Sequence, residues 1–437
     1  MKRFHFKGEF ILKESTHSIR DRPWSEKDKR IIILLIAISL IIFDFVVDTP
    51  INILKGIYHI IIHPDSLITD YLVIGGIGAA FVNSGLLTLF FLYLLWKHHV
   101  LFNGATFAVL FLIAGFSFLG KNILNIWTII TGVYFNTKYH RQSFSPYLYI
   151  ALFGTAMAPI VTEIIFHATL TFPLRLRLGI LLGLGIGFIL PPLALHFYHM
   201  HQGFNLYHVG FSSGLIVTVL VALFKSFGYH PSSQLIWGET YNTLLSIYLY
   251  LLYFILLLIG FLTSSKPFYP IKQLMMRSGR LSTDFIVLDG FSATLINMAL
   301  NGILVTTYIL VVGGQLNGPT LGGIFSVIEF GAYGNLNNII PVMIGIIIEY
   351  FIKIWSINDP SILLASLFGP ALAPIAGTYG CFFGILARFL HSSVVLHIGE
   401  LHAGLNLYNN GFSAGIVASI LIPLIEAFKG PTIPKNN

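Results

Sequence analysis

The sequence predicts an all-α integral membrane protein with about 10–14 transmembrane helices, arranged as two repeats of inverted topology. Three observations predict this fold. The 437 residues are 55% hydrophobic and only 10% charged, with a mean hydropathy of +0.81, whereas a soluble domain carries about 25% charged residues. Many segments contain the roughly 20 apolar residues that a membrane span needs. Finally, four motifs occur twice, in the same order.

Basic residues cluster in two places. The first 30 residues contain nine Lys and Arg side chains, and residues 266–280 contain four more. Because cytoplasmic loops of membrane proteins are rich in Lys and Arg, the net charge of +7 indicates cytoplasmic segments rather than a nucleic-acid partner. The only cysteine is Cys381, which excludes an intrachain disulfide. Five basic residues fall on the opposite side in this assignment: Lys121, Arg175, Arg177, Lys225 and Lys353.

Fourteen apolar segments are candidate spans. Two of them, 104–119 and 318–332, are short and could be re-entrant half-helices instead. The stretch 51–64 is also apolar but short, and we expect it to form an interfacial helix. The candidate spans are residues 31–47, 70–96, 104–119, 122–138, 146–169, 176–198, 209–228, 243–264, 284–312, 318–332, 336–353, 361–379, 380–397 and 409–428.

An internal repeat covers most of the chain. Four paired segments follow in the same order, with offsets of 214, 214 and 215 residues for the first three pairs and 201 for the fourth. Asn, Pro, Gly and His are aligned, so chance similarity between apolar sequences does not explain them. The pairs are 69–87 with 283–301, 102–111 with 316–325, 151–160 with 366–375, and 196–214 with 397–415. The predicted organisation is a cytoplasmic tail (1–30), a first transmembrane helix with the interfacial helix (31–68), repeat 1 with a connecting helix (69–264), a basic cytoplasmic loop (265–282), repeat 2 (283–429) and a cytoplasmic C-terminal tail (430–437).

The number of spans between the repeats predicts their relative orientation. The two repeats start seven candidate segments apart. Because seven is odd, equivalent helices should cross the membrane in opposite directions. A re-entrant hairpin at 104–138 would remove two crossings and leave this parity unchanged. We therefore expect inverted repeats, an arrangement that many transporters share.

The motif Asn-Gly-x-Thr occurs at the start of both short segments, as Asn103 to Thr106 and Asn317 to Thr320. Asn and Thr are good helix N-caps, so one interpretation is a capped helix that enters the membrane from a loop. The other is functional, because a helix that starts inside the membrane offers N–H groups and a positive dipole end to a polar solute. The duplication favours placing these four residues on a solute pathway.

A longer motif, H-x4-H-x-G-x-N-L-Y-x-x-G-F-S-x-G, also occurs twice. Glycine-interrupted segments at equivalent places in two halves are typical of transporter binding sites. We assign Asn205, Tyr207, Asn406 and Tyr408 to the pathway, since their side chains can donate or accept hydrogen bonds. The glycines with four-residue spacing fit close helix packing instead; they are Gly210, Gly214, Gly411 and Gly415.

The histidines of this motif leave three interpretations open. His196, His199 and His201 align with His397, Glu400 and His402, all of them metal-ligand types. Their spacing does not place three side chains on one helical face, so we expect no bound metal and no cofactor. The other two interpretations are histidines at helix ends and a proton relay.

Few acidic residues fall within the candidate spans, and such residues are usually functional. Glu163, Asp289, Glu329 and Glu349 have no acidic counterpart in the other half, and Asp44 and Asp48 lie near the end of the first span. They could bind a coupling proton in one half or hydrogen-bond within the packing. The residues assigned to a proton relay are His196, His201, His397, His402, Glu163 and Glu329.

The order of these features resembles that of the urea transporters, loosely over residues 69–429. That family has inverted halves, an Asn-Pro-x-x-Gly-type element and a Gly-Phe-Asn-type segment before a helix. The proline is shifted or absent here, and the paired histidines are not part of that family's pattern. The chain also resembles bacterial membrane families of unknown function with duplicated Asn-Leu-Tyr segments. The counterparts here are Asn103-Gly104-Ala105-Thr106, Asn317-Gly318-Pro319-Thr320, Gly203-Phe204-Asn205 and Gly404-Leu405-Asn406.

These observations favour a channel or transporter for a small polar solute, with a pathway between the inverted halves and no enzymatic activity. The alternative from another class is a membrane-embedded enzyme or metal-dependent protein that uses the paired histidines. A third is a membrane scaffold in which these side chains only pack. We expect a multi-pass protein of the bacterial inner membrane with both termini cytoplasmic. The expected partners are the lipid bilayer and the solute, and a homo-oligomer remains open.

Overall fold

The computed structural model of the protein describes residues 24–231, 233–264 and 266–429. They form twenty α-helices and one pair of two-residue parallel strands, β1 (Ile68–Thr69) and β2 (Leu235–Ile236). The first half contains α1 (Glu26–Val47), α2 (Pro50–Ile62), α3 (Tyr71–Ile74), α4 (Gly76–Lys97), α5 (Gly104–Phe116), α6 (Ile123–Tyr139), α7 (Leu148–Gly154), α8 (Ala158–His167), α9 (Phe172–His201) and α10 (His208–Ser226). The second contains α11 (Asn242–Thr263), α12 (Phe268–Leu274), α13 (Phe285–Leu288), α14 (Phe291–Val311), α15 (Gly318–Phe330), α16 (Leu336–Ile352), α17 (Pro360–Phe368), α18 (Ala373–Tyr379), α19 (Cys381–Ile398) and α20 (Asn409–Lys429).

Ten stretches of helix in the described chain are long and apolar enough to cross a membrane, which confirms the predicted multi-pass helical fold. They are α1, α4, α7 with α8, α9, α10, α11, α14, α17 with α18, α19 and α20. The half-helices α5 and α15 contain 13 residues each. At about 20 Å they are shorter than the roughly 30 Å hydrocarbon core of a bilayer, as the sequence indicated.

The first helix begins earlier than the hydropathy pattern indicated. It starts at Glu26 rather than at residue 31, because Ser25 and Asp28 form a capping box that closes its first turn. The predicted cytoplasmic tail therefore ends before this helix. Its residues 1–23, like the predicted C-terminal tail at 430–437, lie outside the described residues.

The two half-helices pack side by side and run antiparallel. The backbone N–H of Tyr71 donates to Phe118 at the end of α5, and the neighbouring Asp70 accepts from Gly318 at the start of α15. The same contacts recur at the other end of the pair. There the backbone N–H of Phe285 donates to Ala332, just past the end of α15, and Asp284 accepts from Gly104 at the start of α5. Because α5 and α15 are equivalent parts of the two repeats, their antiparallel packing supports the inverted repeat.

Each half begins one long helix earlier than the motifs indicate. Helix α1 packs on α4 in the way that α11 packs on α14. Glu26 at the start of α1 accepts a hydrogen bond from the backbone N–H of Phe102, and Asn242 at the start of α11 accepts one from Leu316. The contacts therefore place α11, which the sequence treated as a connecting helix, in a position equivalent to α1.

Candidate functional site

The Asn-Gly-x-Thr motifs cap the two half-helices. Asn103 Oδ1 accepts a hydrogen bond from the backbone N–H of Thr106, and Asn317 Oδ1 accepts one from Thr320, both at 3.0 Å. In each motif the Thr hydroxyl in turn accepts from the backbone N–H of the Asn. These are capping boxes, so the structural interpretation of the motif holds. A role for these residues on a solute pathway stays a prediction.

Two aspartates join the halves at the same helix starts. Asp70 in the first half accepts a hydrogen bond from the N–H of Gly318 at 3.0 Å, and Asp284 in the second half accepts one from Gly104 at 2.7 Å. A carboxylate at a helix N-terminus is favoured by the helix dipole. The first N–H group of each half-helix is therefore bonded to the opposite half of the protein.

The duplicated His/Asn-Leu-Tyr motif forms a tight turn and then an extended segment that reaches into the other half. Gly203 and Gly404 adopt left-handed backbone conformations, with φ of +78° and +71°, which glycine adopts without steric cost. The N–H of Leu206 donates to the carbonyl of Ala371, and the N–H of Leu407 donates to that of Ala156. Those carbonyls lie in the short 3-10 turns that join α17 to α18 and α7 to α8.

The motif asparagines differ in how their amides are used. Asn205 Oδ1 accepts from the N–H of Tyr207 at 3.0 Å, and its Nδ2 donates to the carbonyl of Gly411 at 2.9 Å. Asn406 Oδ1 accepts from Tyr408 at 3.2 Å, but its buried Nδ2 has no hydrogen-bond partner. Both the oxygen and the nitrogen of the Asn205 amide therefore hydrogen-bond to backbone groups, whereas the two N–H donors on Asn406 Nδ2 have no acceptor.

The two motif tyrosines meet between the halves, next to one buried lysine and one buried glutamate. The rings of Tyr207 and Tyr408 stack with their centroids 5.4 Å apart. Lys121 Nζ donates to the Tyr408 hydroxyl at 2.8 Å and lies 4.7 Å from the centre of that ring. The side chain of Glu329, on α15, lies close enough to Lys121 to interact with it electrostatically. We call Lys121, Tyr207, Glu329 and Tyr408 the central cluster.

The ionisable side chains of the central cluster are buried and make no direct ion pair with each other. Lys121 is 1% exposed and Glu329 3% exposed. The Glu329 Oε2 atom and the Tyr207 hydroxyl make no well-aligned hydrogen bond. Taking a charge out of water without a close partner costs several kcal/mol, so charged groups inside a membrane protein usually serve its function. The first-half counterpart of Glu329 is Gly115, so this charge belongs to one half only.

A partly open recess leads toward the central cluster. Its empty space, including its mouth, is about 540 Å³. Mostly apolar side chains from both halves line it, together with the amides of Asn409 and Asn410. The ring of Phe116 forms part of the wall of the recess. The centre of this ring lies 4.8 Å from the centre of the Tyr408 ring and 5.2 Å from Lys121 Nζ. One aromatic ring therefore separates the recess from the buried lysine.

Residues 49–226 and 263–427 match one protein family, described as "Protein of unknown function (DUF1576)". The chain belongs to the DUF1576 family. The two matched segments lie one in each half, which agrees with a duplication. All four residues of the central cluster fall within them. No curated protein and no solved structure matches the chain, so the likeness to the urea transporters stays an expectation from the sequence.

In this DUF1576 protein, the residues assigned to a proton relay do not form one group. His196 and His397 are exposed on α9 and α19, as are His199 and Glu400 nearby. His201 is buried and both of its ring nitrogens lack partners. In the described chain no three His, Cys, Asp or Glu side chains are close enough to share a metal ion. The absence of a bound metal stays a prediction.

Two of the other buried relay candidates, His402 and Glu163, have partners of their own. His402 Nε2 lies 2.8 Å from Asn409 Oδ1. Glu163 accepts a hydrogen bond from the Tyr229 hydroxyl at 2.7 Å and lies 2.9 Å from His167. Of the six relay candidates, Glu329 alone lies in the central cluster. The relay itself remains untested.

Sequence reasoning overlooked Lys121, Asp70 and Asp284 as site residues. Lys121 was counted among charges outside the membrane, but it is buried between the end of α5 and Tyr408. A lone lysine between two apolar segments was a signal that it is buried rather than exposed. The aspartates stand in the duplicated Thr-Asp segment, and that exact pairing was a signal for an equivalent role in both halves.

Proposed function

We propose that this protein is a membrane channel or transporter for a small polar solute, with its pathway between the inverted halves at the central cluster. The observation that carries the proposal is a pair of buried ionisable side chains, Lys121 and Glu329, which make no direct ion pair and lie between the two halves. Half-helices and polar groups at the junction of inverted repeats are typical of solute sites in transporters.

The unsatisfied polar atoms support a solute with both donors and acceptors. Asn406 Nδ2 is an unused donor and Glu329 Oε2 an unused acceptor. Leaving such groups unpaired in a buried site costs roughly 1–3 kcal/mol each. A small polar solute would recover part of this free energy. The proposal assigns the protein no enzymatic activity and places it in a bacterial inner membrane.

The test is osmotic swelling of liposomes that contain the purified protein, with urea, glycine, glycerol and ammonium chloride as separate probes. We expect wild-type protein to accelerate entry of at least one probe, and Lys121→Met to lose at least tenfold of that rate. Lys55→Met, the same change at an exposed lysine on α2, is the matched control and should not alter it. Wild-type liposomes that take up every probe no faster than protein-free ones would contradict the proposal.

A further inference from the structure

Three positions in the wall of the recess carry no ring, whereas their counterparts in the opposite half of the repeat are tyrosines. Phe118 and Ala332, which stand just before the first of these pairs, accept equivalent backbone hydrogen bonds, from Tyr71 and Phe285. The other two pairs belong to the repeated motifs themselves. The pairs are Leu119 with Tyr333, Leu364 with Tyr149, and Gly399 with Tyr198.

The three tyrosines lie close together at the equivalent place. The Tyr149 hydroxyl forms a 2.6 Å hydrogen bond with the hydroxyl of Thr106, which anchors its ring at the start of α5. Tyr333 lies within electrostatic range of both Tyr149 and Tyr198. The Tyr198 ring contacts that of His208, with the ring centroids 5.9 Å apart. Aromatic side chains therefore fill space here that their smaller counterparts leave open in the recess.

The fold does not require the recess to be empty. Equivalent backbone segments close this place with aromatic rings on one side of the repeat and leave it open on the other. Voids are uncommon in well-packed proteins, because the side chains around them lose favourable contacts. The smaller residues at the three positions thus keep open a space that the fold could have filled.

Asn410 contributes an unpaired polar atom to the wall of this space. Its side chain lines the recess and is 6% exposed, and its Oδ1 atom has no hydrogen-bond partner. The neighbouring Asn409 also lines the recess, but its amide is bonded to His402 and to the carbonyl of Val395. The repeat counterpart of Asn410 is Val209, which has no side-chain acceptor. A donor on a bound molecule would satisfy the Asn410 oxygen.

The rest of the wall indicates the chemistry of such a molecule. Among the described residues that line the recess none is charged, and most are Leu, Ile, Val or Phe. A charged ligand would lose its hydration without gaining a counter-charge, whereas an aliphatic body would gain from contact with the wall. Helix α20 begins at Asn409, and the N–H groups in the first turn of a helix have no intrahelical acceptor. A carboxamide can donate to Asn410 Oδ1 and accept from this helix start.

We propose that the recess is a binding site for a small uncharged amide with a short aliphatic body. The amide group lies where Asn410 and the start of α20 meet, and the aliphatic chain packs against Phe116 and Leu364. The site is separate from the central cluster and lies one aromatic ring away from it. Its identity as the site of the transported solute rests on the proposed function, whereas the binding itself does not.

The test is saturation-transfer NMR of butyramide with the purified full-length protein in lipid nanodiscs. Butyrate and butylammonium, which have aliphatic chains of similar length but a charged end, are the comparison probes. We expect saturable transfer to the methyl protons of butyramide above that of empty nanodiscs. The two ions should bind more weakly by about tenfold or more, because the wall offers them no counter-charge.

Two variants separate this site from unspecific uptake into the lipid. Asn410→Leu removes the acceptor and should weaken butyramide binding by about tenfold or more, whereas Asn337→Leu, at an exposed asparagine, should not. Gly399→Tyr installs the tyrosine of the opposite half and should abolish binding. A Cβ at Gly399 would meet only Asn409 Nδ2, at 3.9 Å, so the backbone can accept it. Gly185→Tyr, where a Cβ would meet nothing within 4 Å, is the matched control and should bind normally.

Leu364→Tyr, which also installs the residue of the opposite half, replaces Gly399→Tyr if that variant does not fold. Three results would overturn the proposal: ions that bind as tightly as butyramide, unchanged binding in Asn410→Leu or in the tyrosine variant, or no saturable transfer above empty nanodiscs. The last is the result expected if a lipid chain fills the recess. All of these measurements are made without flux, so they are distinct from a failure of the liposome assay.

Discussion

At the scale of single residues, Lys121 and Glu329 illustrate how one buried charge depends on another. They lie within electrostatic range of each other in the core, without close ionic contact. Removing the lysine leaves Glu329 without its cation in a medium that screens charge poorly. Its loss should therefore affect the stability of the protein as well as the proposed transport.

We expect Lys121→Met to destabilise the protein and Glu329→Gln in the same chain to restore part of the loss. The coupling free energy between the two sites should be about 1 kcal/mol or more, the range for residues that interact directly. A double-mutant cycle by denaturant unfolding in detergent measures it. Additive effects of the two substitutions would show that the charges do not interact.

Substitutions of Asn205 and Asn406 should show whether each amide stabilises the fold or serves the proposed solute path. Asn205→Leu leaves the buried N–H of Tyr207 without its acceptor and removes the amide's hydrogen bond to the carbonyl of Gly411, so it should cost about 1–3 kcal/mol of unfolding free energy. Asn406→Leu loses one backbone contact and should cost less, while it removes the free donor beside the proposed path. Yield, thermal unfolding and liposome flux measure the difference.

The control for this pair is Asn337→Leu, at an exposed asparagine of α16 whose amide makes only a solvent-exposed hydrogen bond, to the carbonyl of Met275. It should leave all three measurements near the wild-type values. Equal destabilisation by Asn205→Leu and Asn406→Leu, with flux unchanged in both, would remove these amides from the pathway and leave them as turn-forming residues.

At the scale of elements, the half-helices depend on the opposite half for their caps. Asp70→Ala and Asp284→Ala should each destabilise the protein by about 1–2 kcal/mol, because each removes a charged acceptor at a helix N-terminus. The two losses should be similar, since the contacts are equivalent. Thermal or denaturant unfolding checks this expectation.

Asp28→Ala is the comparison for the aspartates, since Asp28 takes part in a capping box at the exposed start of α1. Its loss affects one helix only and should be smaller. If Asp70→Ala or Asp284→Ala were no more harmful than Asp28→Ala, the contacts across the halves would contribute nothing to stability.

At the scale of the whole molecule, an even number of ten candidate spans in the described chain predicts that the N-terminus of α1 and the C-terminus of α20 lie on one side of the membrane. The basic residues of the tail and of the loop at 266–280 predict that this side is the cytoplasm. A reporter enzyme that folds in the cytoplasm should therefore be active when fused to either terminus. A reporter that needs export to become active should be inactive at both. A C-terminal fusion that is active only after export would reverse the orientation.

Much of this architecture could be predicted from the sequence because its signals are local. Membrane spans are visible as apolar runs, and a duplication is visible as repeated motifs such as those that contain Asn205 and Asn406. The caps at Asn103 and Asn317 involve residues three apart, so the sequence motif contains both partners. Tyr207, Tyr408 and Glu329 were selected as polar residues in or beside apolar segments, and all three lie in the central cluster.

The sequence by itself thus determined that the chain is a multi-pass helical membrane protein with a duplicated, inverted plan. Only the tertiary structure decided which polar groups meet. Lys121 contacts Tyr408, Asp70 caps α15, and Glu349 pairs with Arg388, and in each case the partners are far apart in the chain. Their encounter depends on how helices from different parts of the chain pack, because side-chain contacts between distant elements leave no periodic trace in the sequence.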